Sequence, residues 1–503
     1  MIEGILIGLQ TALSFKNLMM VIIGCFSGTI IGMLPGLGPM TAIALMIPIT
    51  YGFDPSTGLI LMAGVYYGAV FGGSTSSILI NAPGVPGTVA TSFDGYPMAQ
   101  QGKAGKALAI AAYSSFAGGT ISAIFLLIAA PSLSLVSLSF RSPDYFGLMI
   151  LGLTAVAAFS SKGNFLKAMM MVVLGLMLAS VGQDTLSDIP RFTFDNMNLS
   201  DGISFVLVVM ATFAMSEALT IIFKAKDPTK AAKQISLSQL GSIKLDKDET
   251  KKMVTTIPRS SVLGFIIGVL PGAGATIASF LAYGMERNFV NDDEKQKFGK
   301  GSVNGIAAPE TANNAACSGS FVPLLTLGIP GSGTTAVMLG ALLGFGIQPG
   351  PRLYQTNPEI FWSVIMSMYI GMVVLLILNL PLIPYIARVL ATPRTFLIPL
   401  ILFFSLTGVY LMSFNNFDIY MMIGIAVAAT ILRLYDFPMP PLILAFVLGG
   451  LMEENLRRSL LISDGSWSFL WDRPLTVVIM LTIIFIVGWQ IYKSFFKTNS
   501  RVT

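Results

Sequence analysis

The sequence predicts an all-α polytopic membrane protein, with about twelve membrane segments in two related halves built from broken helices and re-entrant hairpins. Three observations carry this. Of 503 residues, 54% are hydrophobic and only 11% are charged, where soluble domains carry roughly 25% charged residues. The stretch Gly28-Thr29-Ile30-Ile31-Gly32-Met33-Leu34-Pro35-Gly36-Leu37-Gly38 returns as Gly264-Phe265-Ile266-Ile267-Gly268-Val269-Leu270-Pro271-Gly272-Ala273-Gly274, identical at eight of eleven positions. Between the copies, residues 224–259 hold nine Lys/Arg against four acids, and loops so biased stay in the cytoplasm.

The chain divides into a first membrane half (1–223), the basic linker (224–259), a second half (260–492) and a cytoplasmic tail (493–503). Residues 1–16 read as a short amphipathic lead-in whose start lacks the basic region of a cleaved signal. An apolar helix over 17–34 breaks at Pro35 and resumes through Thr41–Ile49. Pro removes a backbone donor and Gly permits positive φ, so Pro-Gly-x-Gly must interrupt the helix. Residues 57–80 form a Gly-striped apolar run that leads into Ser74–Thr88, uncharged and polar, read as a re-entrant segment. Spans follow near 107–130, 143–160, 165–182 and 203–223, with Gln183–Asp201 as a solvated outer loop. The second half repeats the programme with a broken helix at 260–284, a charged insertion at 286–300 and a second polar break at 328–335. Shifting Pro83-Gly84 by 247 lands on Pro330-Gly331, while the first motif pair is offset by 236. Further apolar runs lie near 359–390, 396–413, 417–434, 438–452 and 474–492.

Matched Gly/Pro-interrupted segments in two halves point to a transporter binding site. Free N–H groups at such breaks suit an anion, and unwound carbonyls with hydroxyls suit a bare cation. Candidate substrate groups are Ser74, Ser76, Asn81, Pro83, Gly84 and Thr88 in the first half, and Asn313, Asn314, Pro330, Gly331, Ser332 and Thr334 in the second. Candidate cation-binding positions are Pro35, Gly36, Gly38, Pro271, Gly272, Gly274 and Glu310. Sodium is possible there. Glu310 reads either as a functional intramembrane carboxylate or as an acid capping a helix that starts after Pro309.

No histidine is present and the two cysteines lie in apolar surroundings, which excludes imidazole catalysis and transition-metal sites. Neither Pro-Gly-x-Gly runs on into the Gly-Lys-Ser/Thr of a P-loop, so no ATPase is implied. No paired nucleophile and base supports an enzyme. The rival class is a passive channel, but two dissimilar polar loops supply no ring of identical carbonyls.

The motifs Gly32-Met33-Leu34-Pro35-Gly36-Leu37-Gly38-Pro39, Asp94-Gly95-Tyr96-Pro97, Leu270-Pro271-Gly272-Ala273-Gly274, Ala308-Pro309-Glu310-Thr311-Ala312-Asn313-Asn314 and Gly328-Ile329-Pro330-Gly331-Ser332-Gly333 resemble the large membrane subunit of the bacterial tripartite tricarboxylate transporters, the TctA family. The resemblance runs over nearly the whole chain. It implies a multi-pass inner-membrane secondary importer of small carboxylates, driven by a sodium or proton gradient and needing no other cofactor. Implied partners are a small membrane subunit, a periplasmic substrate-binding protein and the lipid bilayer, and not nucleic acid. Alternating access of the elevator type is expected, with inversion the preferred relation of the repeats. Citrate-type members can carry a basic residue after the paired glycines, where this chain has Ser74. Dicarboxylates, aromatic carboxylates and amino acids therefore stay open as substrates.

Overall fold

A computed structural model describes residues 2–160, 165–184, 187–224, 241–386, 388, 390 and 394–496. Much of the basic linker (225–240) and the tail beyond 496 lie outside the described residues. The first half comprises α1 (Ile2–Ala12), α2 (Phe15–Met33), α3 (Gly38–Thr50), α4 (Pro55–Ile80), α5 (Val89–Met98), α6 (Ala104–Ser137), α7 (Ser142–Ser160), α8 (Phe165–Ala179), α9 (Phe205–Val209) and α10 (Ser216–Lys224). The second comprises α11 (Lys247–Val269), α12 (Gly274–Phe289), α13 (Asp292–Lys295), α14 (Val303–Gly319), α15 (Phe321–Leu327), α16 (Gly333–Gly344), α17 (Leu353–Thr356), α18 (Pro358–Asn379), α19 (Ile383–Ile386), α20 (Arg394–Ser413), α21 (Asn416–Leu434), α22 (Pro440–Ile462) and α23 (Pro474–Phe496). Strands β1 (Gly182–Gln183) and β2 (Pro190–Arg191) pair antiparallel between α8 and α9. Among the described residues, seven helical stretches are long and apolar enough to cross a membrane. The basic stretch becomes helical at Lys247, where Asp246 and Glu249 form a reciprocal capping box.

Both Pro-Gly-x-Gly breaks occur where expected, with Gly36, Gly38, Gly272 and Gly274 at φ of 96°, 56°, 81° and 60°. The geometry differs from a helix that breaks and resumes, because at each break the chain turns back. Lys16, near the start of α2, bonds Asp54, just past the end of α3, at 2.5 Å, and Thr57 Oγ1 donates to Asn17 Oδ1 at 2.6 Å. In the second half Arg259 of α11 holds Glu286 of α12 at 2.7 Å, and Lys252 holds Glu294 at 2.8 Å. Thus α2–α3 and α11–α12 are helical hairpins with the glycine motifs at their tips. A proline that only kinks a helix keeps its direction; two further glycines at positive φ let the chain reverse.

Each hairpin then lies along a long helix through small residues. A Cβ on Gly28 or Gly32 would overlap the backbone of Val65 or Ala69 of α4, and a Cβ on Gly264 or Gly268 that of Ala312 or Ala316 of α14. These partners are related by the 247-residue offset, as are the left-handed C-caps Asn81 and Gly328, whose N–H groups bond Ser76 O and Pro323 O. The structural correspondence therefore extends well beyond the repeated motif. Helices α4 and α14 run antiparallel, since Tyr67 meets Ser318 at 2.6 Å while Ser74 meets Glu310 at 2.7 Å. Outside this core, α7, α8, α22 and α23 pack on one another, and α10, α20 and α21 form a neighbouring group.

Asp54 ties the open end of the first hairpin together, accepting from Thr57 N at 2.9 Å as the N-cap of α4. Partial burial raises its carboxyl, but the bonds from Lys16 and Thr57 outweigh this and hold it at about 2. A depressed carboxylate stabilises the fold above its unfolded pKa, near 3.9, and loses that contribution as pH falls towards 2. Asp54→Asn is therefore expected to lower Tm slightly at pH 7. Melting curves across pH should show the gap from wild type closing between about 4 and 2.

Candidate functional site

The site grows from two loop tips and the helices they lean on. In the first half α4 runs unbroken to Ile80, so Ser74 and Ser76 belong to its last turns and not to a re-entrant loop. The chain leaves at Asn81, in the left-handed region at φ 51°, and the Pro83–Thr88 tip folds back: Gly84 against Gly32 O, Val85 against Gly73. Gly84, Val85, Gly87 and Thr88 are buried. In the second half Gly331 packs on Gly268 O and Ser320, and its carbonyl accepts from Gly272 N at 2.9 Å. Gly32 and Gly268 are repeat equivalents, so both Pro-Gly tips seat on hairpins in the same way. Along α4 the second tip touches Tyr66, through Ser332 at 3.4 Å, and the first touches Gly73. Seven residues separate those contacts, about 10 Å of helix rise.

Glu310 is fully buried. Its carboxylate accepts from Ser74 Oγ at 2.7 Å, Thr91 Oγ1 at 2.5 Å and Ser115 Oγ at 2.8 Å, which joins α4, α5, α6 and α14. Helix α14 starts at Val303 with Ser302 as its cap, so Glu310 lies two turns inside it and caps nothing. One turn on, fully buried Asn313 has no hydrogen-bond partner at Oδ1 or Nδ2 among the described residues, and Asn314 none at Oδ1. The Asn313 carboxamide faces Gly87 of the first tip. Buried polar atoms are normally paired, so this amide beneath a loop tip is an exception with free capacity to bond. Carboxylate, hydroxyl and amide oxygens together are the donor set a hard cation takes.

Some of the expected residues are occupied by local structure. Ser76 Oγ donates to Gly73 O, and Thr88 Oγ1 to Val85 O and Gly73 O. Ser332 and Thr335 form a capping box at α16. Asn81 is exposed and serves as a C-cap, a role glycine fills at Gly328. Thr334 lies in the first turn of α16, Pro83 and Pro330 lie in the tips, and Pro35 and Pro271 at the hairpin breaks. Sequence reasoning missed Thr91, three residues before the Asp94-Gly95-Tyr96-Pro97 motif on α5, and Ser115 of α6. It also missed Tyr66 and Tyr67, which the need of a buried phenol for a partner would have flagged. Glu217 and Arg433 were missed too: they form an ion pair beside Gly36, and Arg433 Nη2 donates to Thr212 O at 2.9 Å.

A helical multi-pass membrane protein with duplicated hairpins packed along two antiparallel helices, and a carboxylate held by hydroxyls buried between those helices, has the build of a membrane transport subunit. The family model of the tripartite tricarboxylate transporter TctA family matches residues 18–444, and the chain belongs to that family. It is similar to an uncharacterized 52.8 kDa protein of the TAR-I ttuC′ 3′ region of Agrobacterium vitis, 41% identical over 480 residues, covering 95% of this chain and 94% of that one. A second uncharacterized protein, from the TAR-II ttuC′ 3′ region of Agrobacterium vitis, is 42% identical over 217 residues, covering 43% of this chain and 89% of that protein. Family membership makes this chain the membrane subunit of a tripartite transporter and implies partner subunits.

Proposed function

We propose that this chain is the translocating subunit of a secondary importer in the inner membrane, which takes small organic carboxylates from a periplasmic binding protein, together with a small membrane subunit, and is driven by a sodium or proton gradient. The observation that carries the reading is the duplicated seating of the two Pro-Gly tips on the two hairpins, Gly84 on Gly32 O and Gly331 on Gly268 O. Two equivalent tips flanking one centre form a pair of gates, as alternating access requires. The carboxylate is held between them by the first N–H groups of α16 and the Asn313 amide, and the cation by Glu310 with the hydroxyls around it. The antiparallel course of α4 and α14, which are repeat equivalents, supports inverted repeats. Helices α7 and α22 meet the second hairpin tip and its Pro-Gly loop, at Val156–Gly272 and Pro440–Gly333, and an elevator movement would slide along that contact.

The test is uptake of radiolabelled carboxylates into proteoliposomes holding this chain and its small partner, with and without a sodium gradient and a proton gradient, and with and without the binding protein. Saturable uptake that needs a cation gradient and the loaded binding protein is expected. Flux linear in concentration and indifferent to these additions would make the chain a passive anion pore.

A further inference from the structure

We propose that the loop between α8 and α9, with the α20–α21 turn beside it, is the docking surface for a soluble partner subunit presenting an apolar centre ringed by basic side chains. This rests on the tripartite reading above. Helices α9 and α10 carry the chain from this loop across to Lys224 at the basic linker, so the loop faces away from the cytoplasm. On it Phe192, Phe194 and Met197 are 62%, 85% and 88% exposed, and Phe414 of the neighbouring turn is 71% exposed.

The loop is anchored from below. Arg457 of α22 donates to Asp184 at 2.6 Å, Arg191 pairs with Glu453 at 2.9 Å, and Asn415 Nδ2 donates to Asn198 Oδ1 at 2.8 Å. Phe192, Phe194 and Phe414 stand at φ of 54°, 50° and 50°, a region bulky side chains avoid. A tied loop thus holds three aromatic rings outward against their backbone preference. Grouped exposed apolar side chains of this kind mark an interaction site.

Charge selects the occupant. Asp188, Asp195 and Asp201 stand exposed on the same loop, while Arg191, its one basic residue between 183 and 201, is spent on Glu453. An anionic bilayer surface attracts Lys and Arg rather than acids. A protein with a basic rim is complementary to the loop.

The experiment uses the full chain with its small membrane subunit in lipid nanodiscs. Met197→Cys takes an environment-sensitive dye selectively, because Cys25 and Cys317 are buried. The probe is the purified soluble binding subunit. A blue shift is expected only when that subunit is added, with Kd weakened about tenfold or more by Phe192→Asp/Phe194→Asp and, on the separate turn, by Phe414→Asp. Asp188→Asn/Asp195→Asn should flatten the salt dependence of binding. A blue shift in nanodiscs alone would show the bilayer covering the patch and overturn the proposal. So would binding of both the double and the single phenylalanine variant within about twofold of wild type, which leaves the tripartite reading intact. Absence of binding to the wild type would overturn both.

Discussion

Glu310→Gln is expected to abolish gradient-driven accumulation while leaving a folded, membrane-inserted protein. Glutamine keeps the shape, and its carbonyl can still accept from Ser74, Thr91 or Ser115, so melting in detergent should stay near wild type. On the proposed reading, what the variant loses is the carboxylate that would hold a sodium ion or proton. Uptake against a gradient should fall at least about 100-fold, equivalent to roughly 2.7 kcal/mol, while exchange of labelled for unlabelled substrate persists. Glu310→Ala is expected to be worse folded, because three buried hydroxyls lose their common acceptor at about 1 kcal/mol or more each. Ser74 is partly protected, since Val70 O lies 3.2 Å from its hydroxyl. Unchanged cation and pH dependence in Glu310→Gln would make the residue structural.

Gly84→Ala and Gly331→Ala are expected to cost at least about tenfold in uptake each, by unseating the tips. A Cβ on Gly331 would stand 2.8 Å from Ser320 Cα and 2.9 Å from Gly268 O, and one on Gly84 would overlap Gly32 O. The obstacles are backbone atoms, which cannot rotate away, and overpacking of this kind costs about 1–3 kcal/mol. Gly284→Ala is the control: nothing lies within 4 Å of its added Cβ. There alanine should be neutral or stabilise by about 0.5–1 kcal/mol. If both tip variants transport normally while inserting normally, the tips are not gates.

The sequence by itself determined the membrane class, the two halves, the places where helices must stop, and the family motifs. These follow from local chemistry: Pro cannot donate, Gly alone tolerates the φ of 81° at Gly272, and a run of apolar residues excludes water. It also singled out Glu310, because a carboxylate in an apolar, small-residue run is costly wherever it lies. Only the tertiary structure decided what those features do together. That the Pro-Gly-x-Gly breaks reverse direction is shown by contacts such as Arg259–Glu286, 27 residues apart, which no local pattern announces. Thr91 and Ser115 became partners of Glu310 because two other helices, α5 and α6, bring them there. Asn81 became a cap because its backbone is left-handed, and Ser74 became part of a helix because a Gly-striped surface on α2 lets α4 continue close beside it. Helix stops are set by a few bonds along the chain, whereas a site is set by which helices meet, and burial decides that over the whole molecule.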